Sequence, residues 1–340
     1  MVPALAVAEA LRAEGAEVSF IGGMRAEAQL VPAAGFQLST IPVRGIDRGN
    51  PRRALRALAL ALAALPQARR LLTQNGGPPD AVMGGGGYVA GPVGLAALSL
   101  RVPIVLTEAD SHLGLTNRLL APFARRVCLA FPLEGRDGGR YRVTGRPVPA
   151  PAGDRAGARD FFDVPADETL VLVFGGSLGA RSINRAAIDA FAGAPFHVLH
   201  VCGRRDYAEL ARAELRDSYH LREYLDLADF AKALVAADLV VARSGGSVFE
   251  IAAYGLPSVL VPYPQAAGDH QTHNARWLES AGAAIVIPDA GLSGPRLGSE
   301  VARLLAEPRR LAEMATAARR LARPQAAVEV AHELLRAAGK

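Results

Sequence analysis

The sequence predicts an α/β protein built from two doubly wound, Rossmann-like domains facing a cleft. Short Val/Ile/Leu runs alternate with Ala/Leu/Arg helical stretches along the whole chain, the rhythm of parallel sheets covered by helices. The rhythm breaks at Thr144–Gly157, TGRPVPAPAGDRAG, whose prolines and glycines mark a linker. It then restarts at Thr169–Phe174, TLVLVF. At 340 residues the chain is long enough for two domains of ordinary size.

Taken in order, the chain opens on a helix, Pro3–Glu14, with proline in the first turn where its missing N–H costs nothing. A doubly wound domain normally begins with a strand and a Gly-rich turn. The expectation is that both stand before this helix and that Met1 is not the natural start. Strands follow at Glu17–Ile21, Ala81–Met83, Pro103–Leu106 and Val127–Phe131. Between the first two lies Asn50–Leu72, an amphipathic stretch interrupted at Pro66. It sets Leu55, Leu58, Leu62 and Leu65 on one face and Arg52, Arg56 and Arg70 opposite. Two readings fit: a helix in a membrane interface with arginines on lipid phosphates, or a core-facing helix with a solvated arginine face. The second half continues with strands at His197–Val201, Leu239–Val241, Val259–Val261 and Ala284–Ile287, then helix from about Pro308 to Ala338. The expected divisions are therefore 1–146, 147–307, and C-terminal helices over 308–340 packing back toward the first domain.

Charge divides along the same line. Residues 1–150 carry 17 Lys+Arg and 10 Asp+Glu, a net +7, leaving 21 and 23, a net −2, in the remainder of the +5 chain. A basic first half points to an anionic partner, either a phospholipid surface or a diphosphate. Nucleic acid is excluded by the lack of interleaved aromatics and of any nucleic-acid-binding signature. Cys128 and Cys202 sit in apolar runs and read as buried free thiols. No run of about eighteen uncharged apolar residues occurs.

Chemistry concentrates in five segments. Val173–Asn184, VFGGSLGARSIN, puts a strand, a Gly-rich turn and a helix start in succession. Gly175 and Gly176 permit close backbone approach, Ser177 offers a hydroxyl, and the helix N-terminus suits a diphosphate. Ala242–Glu250, ARSGGSVFE, repeats that arrangement. Its Glu250 lies in the first turns of a helix, where it can accept from a ribose diol or simply favour the helix dipole. Asp269–Ala275, DHQTHNA, presents Gln271 and Asn274 to sugar hydroxyls. His270 and His273 lack a third ligand, and His197 and His200 point to opposite strand faces, so no metal is expected. In the first half, Gly84–Pro92, GGGGYVAGP, marks a backbone that approaches a ligand or needs unusual dihedrals. Thr107–His112, TEADSH, follows a strand at its carboxyl end, where ligands bind. There Glu108 and Asp110 are the acid/base candidates.

These residues resemble one family. PALAVAEAL, LVPAAGF, GGYVAGP, GLTNRLLA, GGSLGAR, RSGGS…E and HQ…NA stand in the order and spacing of the UDP-N-acetylglucosamine: N-acetylmuramyl-(pentapeptide) pyrophosphoryl-undecaprenol N-acetylglucosaminyltransferases. The resemblance covers nearly the whole chain and implies the GT-B fold. It also implies inverting transfer of N-acetylglucosamine from UDP-GlcNAc to the 4-hydroxyl of the muramyl sugar of lipid I, giving lipid II and UDP in peptidoglycan synthesis. Carried over, Ser177 binds the diphosphate region and Leu225 sits by the uracil. Gly246, Ser247 and Val248 line ribose and phosphate, Glu250 holds the ribose diol, and Gln271 binds the sugar. Gly176, Arg243 and Asn274 are further candidate contacts, and Gly87 and Tyr88 belong to the acceptor side. No cofactor or metal is implied. The expected partners are UDP-GlcNAc, lipid I and an anionic membrane, at whose cytoplasmic face the protein would sit peripherally.

The pattern departs from the family in four places. The family's GGTGGH-type loop, with a His often cast as base, would lie just before Met1, so the catalytic base is unassigned. Asp110 stands where the family has Asn, Pro149 where it has a donor-contacting Arg, and the RSGGS loop is one residue short. The competing readings are a UDP-GlcNAc 2-epimerase-like enzyme and an inactive nucleotide-sugar-binding module.

Overall fold

The computed structural model describes residues 1–24, 27–43, 60, 62–74, 76–110, 112–136, 138–149, 151, 153–176 and 178–340. They form two units, Met1–Pro149 with Arg323–Lys340, and Ala150–Ala322.

The first unit runs α1 (Val2–Ala13), β1 (Ser19–Gly22), α2 (Glu27–Ala33), β2 (Gln37–Thr40), α3 (Leu65–Thr73), β3 (Val82–Gly84), α4 (Gly87–Ser99), β4 (Ile104–Glu108), α5 (Leu115–Leu120), β5 (Arg126–Leu129) and β6 (Tyr141–Val143). Its described strands make two parallel sheets, β1–β2 and β3–β4–β5–β6. Helix α1 serves both. Leu5 and Ala8 pack with Val31, Phe36 and the half-buried Phe20, while Val7 packs with Val105 and Cys128. Burial, together with Glu333, pushes the Cys128 thiol up to about 12, so it stays protonated.

The second unit runs α6 (Arg155–Phe161), β7 (Leu170–Phe174), α7 (Arg181–Phe191), β8 (His197–Val201), α8 (Tyr207–Leu210), β9 (Tyr219–Arg222), α9 (Leu227–Ala236), β10 (Leu239–Ala242), α10 (Val248–Tyr254), β11 (Ser258–Leu260), α11 (His270–Ser280), β12 (Ala284–Val286), α12 (Gly294–Leu305) and α13 (Pro308–Leu321). One parallel sheet takes the order β12–β11–β10–β7–β8–β9. Every residue of β7 and β10 is buried, as expected of strands covered on both faces. The first strand thus lies at the centre, and the order reverses between β7 and β10. That is the switch point where such sheets bind ligands.

The last two helices part company, which corrects the expected division at 308. Helix α13 stays on the second unit, with Met314 in its core beside Val301 and Leu304. The chain leaves helical geometry at Ala322–Arg323, before Pro324, whose ring disfavours helix in the residue ahead of it. Only α14 (Ala326–Ala337) joins the first unit, through Val330, Ala331 and Leu334. It is pinned by the buried Glu333, which accepts from Arg126 Nε and from Arg142 Nη1, each at 2.8 Å. Burial raises the Glu333 pKa, but the hydrogen bonds of Arg126 and Arg142 and the charges of Arg126 and Arg336 outweigh it and hold the carboxyl below its ordinary range. The first linker boundary likewise falls after Pro149 rather than at 146.

Candidate functional site

The second unit gathers its chemistry at the carboxyl ends of β7, β8, β10 and β11. β7 runs straight into Gly175 and Gly176, the latter at φ 87°. Ser177 lies outside the described residues. The turn closes with Gly179 N–H donating to Gly176 O at 2.9 Å, and α7 begins at Arg181. Gly179 at φ 74° and Gly203 at φ 83° lie back to back. A Cβ on Gly179 would fall on the Cys202 carbonyl, and one on Gly203 on the Gly179 amide. Only glycine lets the turns after β7 and β8 approach this closely.

Behind these turns runs a buried polar chain that the sequence motifs did not flag. The Tyr219 hydroxyl donates to His200 Nδ1 at 2.8 Å, and His200 Nε2 donates to Asn184 Oδ1 at 3.1 Å. This direction follows from the Asn184 amide nitrogen, which faces two acceptors, Cys202 O at 2.8 Å and Asp206 Oδ2 at 2.9 Å. Burial lowers the His200 pKa to about 3, so the ring is neutral. Asp206 also accepts from Arg205 Nε and Nη2, both at 3.0 Å, and from Arg181 Nε at 3.4 Å. The Arg205 hydrogen bond is the main reason its carboxyl titrates below the usual range. The one available sequence signal was the cluster Arg204-Arg205-Asp206 directly after a strand.

Across the switch point, β10 leads into Arg243–Ser247 and then α10. Arg243 does not stand free. Nη1 donates to Asp289 Oδ1 at 2.6 Å and to Val261 O and Pro262 O at 3.1 Å, and Nη2 donates to Ser182 Oγ at 2.8 Å. It ties α7 to the ends of β10 and β11, so the expected direct ligand contact gives way to a strut. Ser244 is fully buried, its hydroxyl donating to Gln271 O at 2.7 Å. The Asn274 amide donates to Ser244 O at 3.0 Å, leaving its buried Oδ1 without a partner. Gln271 accepts from Tyr263 N–H at 3.0 Å through Oε1, which turns its amide nitrogen toward Gly245. Asp269, just before α11, holds φ 54°, a strained conformation for a non-glycine residue. Thr272 Oγ1 steadies it by donating to Asp269 Oδ1 at 2.6 Å. Glu250 lies in the first turn of α10, half-buried, with Gly246, Ser247 and Val248 ahead of it. Leu225 is half-buried in the turn between β9 and α9, capped by Asp226 accepting from Asp229 N–H.

Gly176, Leu225, Gly246, Ser247, Val248, Glu250, Gln271 and Asn274 therefore all lie on turns or helix starts that follow strands of one sheet. Close-approach glycines, an acidic residue on a helix first turn and amide side chains together suit a sugar nucleotide.

In the first unit, Gly86 and Gly87 hold φ 75° and 77°, and α4 starts at Gly87 with Tyr88 next. Glu108, the first acid/base candidate, carries a structural load. Its buried carboxylate accepts from Asp110 N–H at 3.2 Å, Gly114 N–H at 2.8 Å and Asn117 Nδ2 at 2.9 Å. Those bonds tie Glu108 to residues 110, 114 and 117, two of them on Oε2 and one on Oε1. Asp110 is half-buried on the loop after β4.

Comparison with known proteins follows the same division. Residues 1–129 match the glycosyltransferase family 28 N-terminal domain, and residues 170–330 its C-terminal domain. The UDP-N-acetylglucosamine–N-acetylmuramyl-(pentapeptide) pyrophosphoryl-undecaprenol N-acetylglucosamine transferase of Acidithiobacillus ferrooxidans is 41% identical over 348 residues, covering 99% of this chain and 94% of that protein. The crystal structure of Acinetobacter baumannii MurG is 31% identical with a TM-score of 0.75, covering 98% of this chain and 95% of that one. The Neisseria meningitidis UDP-GlcNAc 2-epimerase, solved with UDP-GlcNAc, has a TM-score of 0.69 at 12% identity, covering 98% and 96%. It shares the fold alone.

Proposed function

The chain belongs to the family of UDP-N-acetylglucosamine–N-acetylmuramyl-(pentapeptide) pyrophosphoryl-undecaprenol N-acetylglucosamine transferases, and from that premise we infer that it transfers N-acetylglucosamine from UDP-GlcNAc to lipid I. The observation that carries this is 41% identity over 99% of the chain. The reaction is a single displacement with inversion. The 4-hydroxyl of the muramyl sugar attacks the anomeric carbon and UDP leaves. The second unit binds the donor at its switch point. Glu250 accepts from the ribose diol, Gly246–Val248 line ribose and phosphate, Leu225 meets the uracil, and Gln271 and Asn274 hold the sugar. The lone Asn274 Oδ1 supports that last role, since a buried acceptor without a partner is costly until a donor such as a sugar hydroxyl reaches it. Gly87 and Tyr88 serve the acceptor. Release of UDP only when both UDP-GlcNAc and a lipid I analogue are present tests the reading. Release without acceptor, or epimerised sugar in its place, overturns it.

The protein docks peripherally on anionic lipid at the cytoplasmic face. The expected element was Asn50–Leu72, but residues 44–59 and 61 lie outside the described residues. In its described part Ala68 and Leu72 are buried and Arg69 donates to Ser99 Oγ, while Leu62 is 56% exposed. Support comes instead from Leu119 and Phe123, 64% and 65% exposed. Beside them is an open depression of about 400 Å³ lined by Arg101, Arg125 and Arg140. Apolar side chains flanked by guanidiniums suit a bilayer surface. No described helix is long and apolar enough to cross a membrane. Sedimentation with anionic vesicles that salt does not weaken, or that survives Arg101→Gln with Arg125→Gln, removes the idea.

A further inference from the structure

We propose that Arg205, oriented by Asp206, contacts the diphosphate of the donor and neutralises the charge that grows on it as the bond to the anomeric carbon breaks; this rests on the donor reading of the second unit. The Arg205–Asp206 pair is built like a positioned group rather than a chance surface contact. Asp206 is almost wholly buried, while the Arg205 side chain remains 48% exposed. The pair is two-pronged: Nε and Nη2 each donate once to a different carboxylate oxygen at 3.0 Å, which fixes the guanidinium plane. A guanidinium has five N–H donors. The remaining three of Arg205 have no partner among the described residues and point away from the carboxylate.

Arg205 is the main partner of Asp206 but not its only one. The Asp206 carboxylate also receives the Asn184 amide and Arg181 Nε. Asn184 is in turn held by the neutral His200 and, through it, Tyr219, so the anchor is rigid on its buried side. The other side of Arg205 is open to solvent. Arg205 lies within electrostatic reach of Tyr263, whose backbone N–H holds Gln271, the residue given to the donor sugar. Arg205 stands on the turn after β8, at the same carboxyl edge of the sheet as the segment after β11. Arg243, next to the second Gly-rich turn, has its guanidinium taken up by Asp289, Ser182 and two carbonyls. Among the described residues of this rim, Arg205 is the cation that a buried carboxylate holds in a fixed plane with donors to spare; Arg181 and Arg204 stand beside it, more exposed and more loosely held.

In the reaction the acceptor hydroxyl oxygen bonds to the anomeric carbon. The bond from that carbon to the β-phosphate oxygen breaks, its electron pair leaves with UDP, and the hydroxyl proton passes to a base. Arg205 donates N–H bonds to the diphosphate oxygens as that charge gathers. Asp206 is a positioning residue: it touches Arg205, not the donor.

The test is calorimetry on the full chain with UDP and, by displacement, with uridine, which lacks the phosphates. Arg205→Ala is expected to weaken UDP about tenfold or more, the loss of a charged hydrogen bond, with uridine unchanged. Arg205→Lys should recover part of the loss by restoring charge without the fork. In transfer assays kcat should fall more than the donor KM rises. Asp206→Asn should weaken UDP partly and leave uridine alone; if it unfolds by circular dichroism, the Ala and Lys variants decide. An Arg205→Ala protein that binds UDP like the parent, or loses UDP and uridine equally, overturns the proposal. A parent chain that binds neither overturns the donor reading itself.

Discussion

The two units use the same strand–helix alternation and arrive at different sheets. In the second, six strands form one ladder with β7 at its centre, wholly buried. In the first, the described strands divide into β1–β2 and β3–β4–β5–β6. Set against the order β9–β8–β7–β10–β11–β12, that division falls at the position β7 holds. Its physical mark is burial. Phe20 and Ile21 of β1 and Val82 and Met83 of β3 are only half-buried, whereas Val171, Leu172 and Val173 are completely buried. A strand paired on both sides and covered on both faces gains backbone bonds and apolar burial together. One paired on a single side keeps a free row of N–H and C=O groups. The second unit is accordingly the more deeply buried of the two at its central strand, and the proposed donor site lies on it.

The largest test of that contrast is hydrogen exchange. Amides of β7 and β10 should be protected at least a hundredfold more than those of β1 and β3, because local opening requires breaking far less structure at the latter. Equal protection would erase the distinction. A second test compares truncations. Leu172→Ala should cost about 2–5 kcal/mol in chemical denaturation, as a cavity in a fully packed strand. Phe20→Ala should cost well under half as much, since part of that ring is already in water. A Phe20 variant as damaging as the Leu172 one would place the core of the first unit on a par with the second.

Function gives a third test. If donor binding belongs to the second unit, Glu250→Ala should weaken UDP by roughly 1–3 kcal/mol in calorimetry, the cost of a lost charged hydrogen bond. Gly87→Ala in the first unit should leave UDP affinity alone. Unchanged UDP affinity in the Glu250 variant would remove its ribose role.

The last test is a pH dependence particular to the second unit, small near neutral pH. His200 has an unfolded pKa near 6.5 and a folded one lowered to about 3 by burial. Below pH 6.5 the unfolded chain takes up a proton that the folded chain refuses. His200 therefore draws down stability by about 1.4 kcal/mol for each unit of pH lost between 6.5 and 3. Above 6.5 it contributes no slope. Replacing His200 with Gln should flatten that part of the profile. A variant whose acid stability still falls at the parent's slope would show that other groups govern it.

Much of this was legible in the residues. Alternating apolar runs and helical stretches disclosed two doubly wound domains, because helix and strand periods are local properties of the chain. The Gly-rich turns at Gly175 and Gly245, Glu250 behind the second, and the Gln271–Asn274 segment were legible too, since a turn, a helix start and a short polar motif each span fewer than ten residues. What the sequence left open was how side chains far apart in the chain share their hydrogen bonds. Glu108 looked like a free loop carboxylate, whereas Gly114 and Asn117 both donate to its Oε2. Arg243 looked free until Asp289, 46 residues on, took it. Arg205 went unnoticed, because Asn184 and Asp206 meet only once β7, α7 and β8 are assembled. Nor could periodicity say that α13 and α14, both amphipathic, would bury their apolar faces against different units. Local pattern decides what an element is and which side of it avoids water. Only packing decides which neighbour covers that side, and therefore which polar groups have donors left for a ligand.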